Sequence, residues 1–289
     1  MQWTTSRFLL DLTIPKVMGI VNVTPDSFSD GGRYHTPAAA LRHCEQLLRE
    51  GADILDIGAE STRPGAMALD QKAELQRLLP IVGEAVKLGV PVSVDTYKPG
   101  VMQAVLDLGV DIINDIWALR WSGPPTQCSQ DALQVVAKHP GCGVCLMHMH
   151  REPMTMQTLP MQGDVVAQVR LFLQRAAAAL QERGVHRNRI VIDPGIGFGK
   201  TVAQNFALLS RQNELLGSGY PVLVGWSRKS SLARAAGIPD DSAPGGDRQN
   251  RVVASVTAAV LAVERGASIV RVHDVAQTVQ ALKVLSAIR

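Results

Sequence analysis

Short apolar runs recur along the chain, each ending on a polar residue or glycine and each followed by a longer amphipathic stretch. The runs are Val17–Val21, Ile54–Ile57, Val90–Val94, Asp111–Ile113, Gly143–Met147, Arg189–Asp193, Pro221–Gly225 and Ser268–Val272. Continuous Val/Ile-rich segments of this length suit strands buried on both faces of a parallel sheet. The stretches between them read as helices with defined ends. Thr36-Pro37 supplies an N-cap and a first-turn proline, with Gly51 just past the end. Further helices are predicted over about 70–88 closing on Gly89, 99–109, 132–138, 165–183 closing on Gly184, 203–216 and 251–265. Asp274 with Gln277 reads as a capping box for the last one.

Eight strand-then-helix units in series predict a (β/α)8 TIM barrel, α/β in class, as one domain over residues 1–289. An open doubly wound sheet is the alternative arrangement of the same units. In a barrel the C-terminal strand ends surround one mouth. That arrangement gathers Asn22, Thr62, Asp95, Asn114, Asp193, Lys229, Arg271 and His273 at a single site. One polar strand end carries little weight, but a nearly complete ring of them is hard to explain by solvation.

The stretch from Arg189 to Lys200 shows the pattern best. Ile190-Val191-Ile192 leads to a carboxylate, a proline and three glycines at alternate positions. A carboxylate at a buried strand end needs a hydrogen-bonding or cationic partner, from protein or ligand. The spacing G-x-G-x-G-K is neither the dinucleotide fingerprint nor the phosphate loop. Density of Gly, Pro, Ser and Asp in Thr24–Gly32 and Thr62–Met67 predicts mobile loops over the mouth.

Composition narrows the function classes. With 289 residues, 46% hydrophobic and 19% charged, the chain can bury one large core. No apolar stretch reaches the roughly 18 residues a bilayer requires, and no secretory leader is visible. A net charge of +3 argues against nucleic acid and is compatible with an anionic substrate. Four cysteines include the pair Cys142 and Cys145, near His139, His148 and His150. A metal or redox reading of that pair fails on pattern. It runs into the apolar strand Val144–Met147, where alternation turns the thiols apart. Reduced cysteines and a cytoplasmic setting are expected.

Several segments in order carry a resemblance over nearly the whole chain. They are G-I-V-N-V-T-P-D-S-F-S-D-G-G from Gly19, D-I-G-A-E-S-T-R-P-G from Asp56, S-V-D-T from Ser93 and I-I-N-D-I from Ile112. L-M-H-M from Leu146, D-P-G-I-G-F-G-K from Asp193, G-W-S-R-K-S from Gly225 and I-V-R-V-H-D-V from Ile269 complete the set. Together they resemble the bacterial dihydropteroate synthases. The resemblance implies condensation of 6-hydroxymethyl-7,8-dihydropterin diphosphate with p-aminobenzoate, giving dihydropteroate and pyrophosphate. It also implies magnesium, a homodimer and sulfonamides as inhibitors.

The resemblance implies residue roles as well. Asp95, Asn114, Asp193, Lys229 and Arg271 would bind the pterin, and Thr62, Pro64, Phe198 and Ser230 the p-aminobenzoate. Asn22, Arg63, Arg271 and His273 would meet the pyrophosphate, with Asn22 on the metal. Arg63, Lys229 and His273 would assist departure of the leaving group. These types suit the chemistry. A carboxylate accepts from a planar edge of N–H donors, an amide donates and accepts at once, and a guanidinium offers a plane for stacking. Taken singly, each of these residues also reads as one half of a core salt bridge, Asp95 with Lys229 or Asp193 with Arg271 in the empty site. The helix 251–264, small-sided and nearly uncharged, is the expected dimer contact.

Departures from the family pattern are few. His150-Arg151 stand where Gln-Gly is usual, and Ser231-Leu232-Ala233 replace an aromatic-aliphatic-glycine run. The segment Trp117–Ser129 is longer than typical. Pterin-dependent methyltransferases, which share the pterin-reading strand ends, and a non-catalytic pterin-binding protein are the alternative functions.

Overall fold

The computed structural model describes residues 1–23, 36–60, 68–123, 131–152, 156, 160–239 and 251–288. The chain opens with an antiparallel hairpin, β1 (Gln2–Thr4) and β2 (Leu9–Asp11). Eight parallel strands follow: β3 (Lys16–Asn22), β4 (Ile54–Gly58), β5 (Val92–Asp95), β6 (Ile112–Asp115), β7 (Gly143–Met147), β8 (Ile190–Asp193), β9 (Leu223–Val224) and β10 (Ile269–Val272). They pair in the order β8-β7-β6-β5-β4-β3-β10-β9. A bridge between Ile192 and Val222 joins the two ends, and Ile192 N donates to Pro221 O at 3.0 Å. The sheet is therefore a closed barrel, which excludes the open doubly wound alternative.

The helices are α1 (Pro37–Glu50), α2 (Gln71–Ala85), α3 (Pro99–Asp107), α4 (Ala132–Lys138), α5 (Val165–Glu182), α6 (Val202–Ser210), α7 (Asn213–Leu216), α8 (Ser230–Ala235), α9 (Val252–Glu264) and α10 (Val275–Ser286). Local chemistry fixes their ends. Thr36 caps α1 by accepting from Ala39 N, and Gly51 closes it at φ 101°. Asp70 caps α2, which tightens through Val86–Leu88 and stops at Gly89. The helix expected over 203–216 divides into α6 and α7, and a full capping box forms at Thr201 and Gln204 instead. The box expected at Asp274 does not form, because no side chain caps α10. The Asp274 carboxylate is taken by Arg228, with Nη2 to Oδ1 at 2.7 Å.

Alternation along the strands sorts their side chains into two sets. Val17, Leu55, Val94, Ile113, Val144, Ile192, Val224 and Val270 point outward and pack under the helices in the main core. Met18, Ile54, Ile112, Cys145, Val191, Leu223 and Ile269 point inward and form a separate apolar layer with Trp3 and Leu12. Trp3, from β1, is fully buried, and its indole Nε1 donates to Arg189 O at 2.9 Å. The hairpin, which no sequence pattern announced, thus stoppers the lower end of the barrel. Arg7 secures it, donating from Nε and Nη2 to Asp111 at 3.0 and 2.6 Å.

The cysteines follow the same alternation. Cys142 lies in the outer core and Cys145 in the barrel interior, and burial pushes both thiols up, Cys142 to about 12. Among the described residues no group of three or more His, Cys, Asp or Glu is placed to hold a metal.

Removing the Trp3 stopper should cost stability without touching the mouth. Trp3→Ala is expected to lower unfolding free energy by about 3–5 kcal/mol in urea titrations. A loss under about 1 kcal/mol would mean that the hairpin is not part of the barrel core.

Candidate active site

Two residues above each member of the inward apolar layer, alternation places the next inward side chain. From Ile54, Ile112, Val191 and Ile269 this step reaches Asp56, Asn114, Asp193 and Arg271. Asp95 reaches the same level on β5, two residues after the buried Ser93. A dry apolar floor therefore carries a polar storey made of three carboxylates, an amide and a guanidinium.

The charges in that storey are arranged around Arg271. Its Nε donates to Asp56 Oδ2 at 2.6 Å and its Nη2 to Asp95 Oδ2 at 2.8 Å. Asn114 Nδ2 donates to the same Asp56 oxygen at 3.2 Å. Burial works against the arginine charge, but Asp56 and Asp95 outweigh it and hold its pKa above the ordinary guanidinium value. Asp95 is pushed well up by burial, which the neighbouring Arg271 only partly offsets and the Asp56 charge reinforces. On the salt-bridge reading of these residues the partners differ from Asp95 with Lys229 and Asp193 with Arg271: Asp95 and Asp56 share Arg271. Arg271 reaches across β3 from β10 to Asp56 on β4 and Asp95 on β5, and Asp56 supplies a fully buried carboxylate that the strand-end pattern missed.

Asp193 stands across the mouth. Its Oδ1 accepts from Gly195 N at 2.7 Å, while among the described residues Oδ2 receives no donor. Burial raises its pKa to about 6, against the Gly195 N–H and the Lys229, Lys200 and Arg271 charges, which lower it. The turn after Asp193 needs glycine. A Cβ on Gly195, at φ 67°, would sit 1.9 Å from His148 O. Lys200, the last residue of that run, is a tie for this loop and not a phosphate ligand. Its Nζ donates to the carbonyls of Gly195, Phe198 and His148 at 2.8, 3.1 and 3.2 Å, and burial lowers its pKa to about 7.

Loops above the storey add the remaining residues. Lys229 precedes α8, and its Nζ lies 4.4 Å from the centroid of the Phe198 ring. Ser230 is the first residue of α8 and is exposed. The N-cap is Lys229 and no side chain caps the helix, so Ser230 is not a capping serine. His273 follows β10, and its Nδ1 lies 2.9 Å from Ser227 Oγ. Asn22 ends β3, half-buried. Its amide oxygen is a hard donor, which suits magnesium sharing its other positions with phosphate oxygens and water. Tyr97, Ile116, Met147, Met149 and Met156 make an apolar wall beside the mouth, with Trp117, Trp121 and Phe198 packed against it. Thr62, Arg63 and Pro64 lie outside the described residues, as do the two loops expected to be mobile.

The site combines buried acceptors, one clamped guanidinium, an amide and an apolar wall. It fits a flat heteroaromatic ring with N–H donors along one edge. One family model, the pterin binding enzymes, matches residues 18–273. The chain is 46% identical over 289 residues to the dihydropteroate synthase of Neisseria meningitidis serogroup C, covering 99% of this chain and 97% of that one. Among solved structures it is similar to Xanthomonas albilineans dihydropteroate synthase with 4-aminobenzoic acid, at TM-score 0.86 and 46% identity over 97% and 95% of the two chains. It is also similar to Burkholderia cenocepacia dihydropteroate synthase complexed with 7,8-dihydropteroate, at TM-score 0.85 and 46% identity over 100% and 96%.

Burial of Asp193 couples its protonation to folding. The folded state holds its proton to about 6 while the unfolded chain releases it near the ordinary carboxylate value of about 4. The folded form therefore binds more protons across that interval, and this residue's contribution to stability falls as pH rises through it. Asp193→Asn is expected to gain on wild type by on the order of 1–3 kcal/mol between pH values of about 4 and 7. Urea titrations giving parallel stability curves for the two proteins would contradict the shift.

Proposed function

The chain belongs to the dihydropteroate synthase family of pterin-binding enzymes, and we propose that it joins 6-hydroxymethyl-7,8-dihydropterin diphosphate to p-aminobenzoate, releasing pyrophosphate. The observation that carries the reading is the polar storey itself, where Asp193, Asn114 and Asp95 sit on one level around Arg271. Asp193 accepts from the ring's amino and amide N–H groups, which needs the ionised carboxylate. Asn114 donates and accepts along the mixed edge, and Asp95 accepts from a further ring nitrogen. Lys229 donates to the ring carbonyl and N5. Arg271, gripped at its edge by Asp56 and Asp95, keeps its plane for stacking on the pterin face.

The reaction breaks the bond between the exocyclic methylene and the diphosphate oxygen. Electron release from the dihydropterin ring stabilises the positive charge left on the methylene, so no covalent enzyme nucleophile is required. The aryl nitrogen of p-aminobenzoate then forms the new bond and loses a proton. What the protein supplies is stabilisation of the departing anion, from Arg63, Arg271, Lys229 and His273. Magnesium, held by Asn22 and the diphosphate oxygens, would add charge neutralisation there. Thr62, Pro64, Phe198 and Ser230 receive the p-aminobenzoate, with its carboxylate beside Ser230.

The protein is further proposed to act as a two-fold dimer in the cytoplasm. The outer side of α9 presents Val253, 78% exposed, with Val256, Val260 and Leu261 half-buried around it. Its described cysteines are buried and reduced, and no described helix is long and apolar enough to cross a membrane.

Pyrophosphate release is expected only when both substrates and magnesium are present, and Ser230→Ala should raise the KM for p-aminobenzoate alone. Tight dihydropterin binding without turnover would support the non-catalytic alternative. Methyl transfer to a corrinoid would support the methyltransferase. For the assembly, light scattering at micromolar concentration should give twice the 31.1 kDa chain mass. A monomer mass would end the proposal of an interface burying over about 1,000 Å².

A further inference from the structure

The parallel pairing of β9 with β10 is set at Leu223 opposite Ile269 and Val224 opposite Val270, an offset of 46 residues. That register continues past both strand ends into side-chain contacts. Ser227 meets His273 at the same offset of 46, with Oγ 2.9 Å from Nδ1 and 3.1 Å from the His273 backbone N. Arg228 meets Asp274 at the same offset, through two hydrogen bonds of 2.7 and 3.2 Å.

The turn that makes this possible is strained. Arg228 lies at φ 58°, a left-handed conformation that a side chain disfavours. It is held from three directions: by Asp274, by Ser255 Oγ accepting from Arg228 N at 2.9 Å, and by Arg251 Nη1 donating to Arg228 O at 3.1 Å. Strain stabilised in this way at a loop beside a mouth is a reason to ask what it orients.

The Ser227 oxygen already accepts the His273 backbone N–H. Ser227 is 7% exposed, and among the described residues its hydroxyl proton has one acceptor within reach, Nδ1 of His273. A buried hydroxyl is expected to donate where it can. Nδ1 is then unprotonated, and the ring proton sits on Nε2. Resting on the function proposed above, we infer that Ser227 is a positioning residue that fixes His273 as its Nε2–H tautomer. The ring thereby presents a hydrogen-bond donor to an oxygen of the departing diphosphate. Arg228 with Asp274 keeps the turn in register so that the serine stays opposite the histidine.

The test uses the full-length enzyme with both substrates and magnesium. Ser227→Ala should raise the KM for the dihydropterin diphosphate about tenfold and leave that for p-aminobenzoate unchanged. Ser227→Thr, which keeps the hydroxyl, should restore most of the loss. In a His273→Ala background, Ser227→Ala should add nothing, because the serine acts only through the ring. A second readout needs no turnover. In histidine-¹⁵N-labelled protein at mildly alkaline pH, the His273 resonances (assigned by their loss in His273→Ala) should show Nδ1 unprotonated. A protonated Nδ1, or Ser227→Ala and His273→Ala effects that simply add, would overturn the inference. Absence of pyrophosphate release from wild type would instead defeat the functional reading, while the nitrogen spectrum would still decide the tautomer.

Discussion

Everything at the mouth depends on one partly buried ionic contact, Arg271 gripped by the buried Asp56 and the half-buried Asp95. Charges brought out of water at the neck of a barrel lose hydration that only close partners can offset. Here the guanidinium edge supplies two donors to two carboxylates, and Asn114 adds a third hydrogen bond at Asp56. The compensation is incomplete, as the raised Asp95 and Asp193 show. A site left short of partners in this way is poised to accept donors from a ligand. The apolar floor sharpens the effect, because Trp3 and the inward strand residues close the space below the polar storey.

Strand alternation explains why so much of this was legible. The ends of β3, β5, β6 and β8 carry Asn22, Asp95, Asn114 and Asp193, and a barrel brings strand ends together. Asp56 escaped because it lies inside β4, flanked by Leu55 and Ile57, where a strand-end search does not look. The signal was present in the step of two from Ile54. The hairpin escaped for a different reason. Its strands have three residues each, too short for any periodicity to register. The capping box at Asp274 was misread because local pattern cannot see a competing partner 46 residues away. Strand β9, two residues long, was overextended because Val222 and Gly225 look like strand but make little regular pairing.

Backbone strain gathers at the loops that surround the mouth. Besides Arg228, the residues Ala118, Leu119 and Arg151 adopt left-handed φ values of 51°, 61° and 63°. Asp115 stabilises the first two by accepting from Trp117 N at 2.7 Å and Leu119 N at 2.6 Å. That turn begins directly after Asn114 and so fixes where β6 delivers its amide. Arg151 is instructive in another way. The family resemblance leads one to expect glycine at this position, and the Arg151 backbone takes the left-handed conformation that glycine adopts without strain. An arginine there bears strain that a glycine would not.

The central claim is that the buried carboxylate of Asp193 is a ligand-reading group and not a structural one. Its Oδ2 has no protein donor among the described residues, whereas its Oδ1 is engaged by Gly195. Calorimetric titration of a dihydropterin into folded Asp193→Ala tests this directly. Loss of a two-pronged contact to a charged group should weaken binding by roughly 100-fold or more, at ~1.4 kcal/mol per tenfold. Near wild-type affinity in the folded variant would contradict the account.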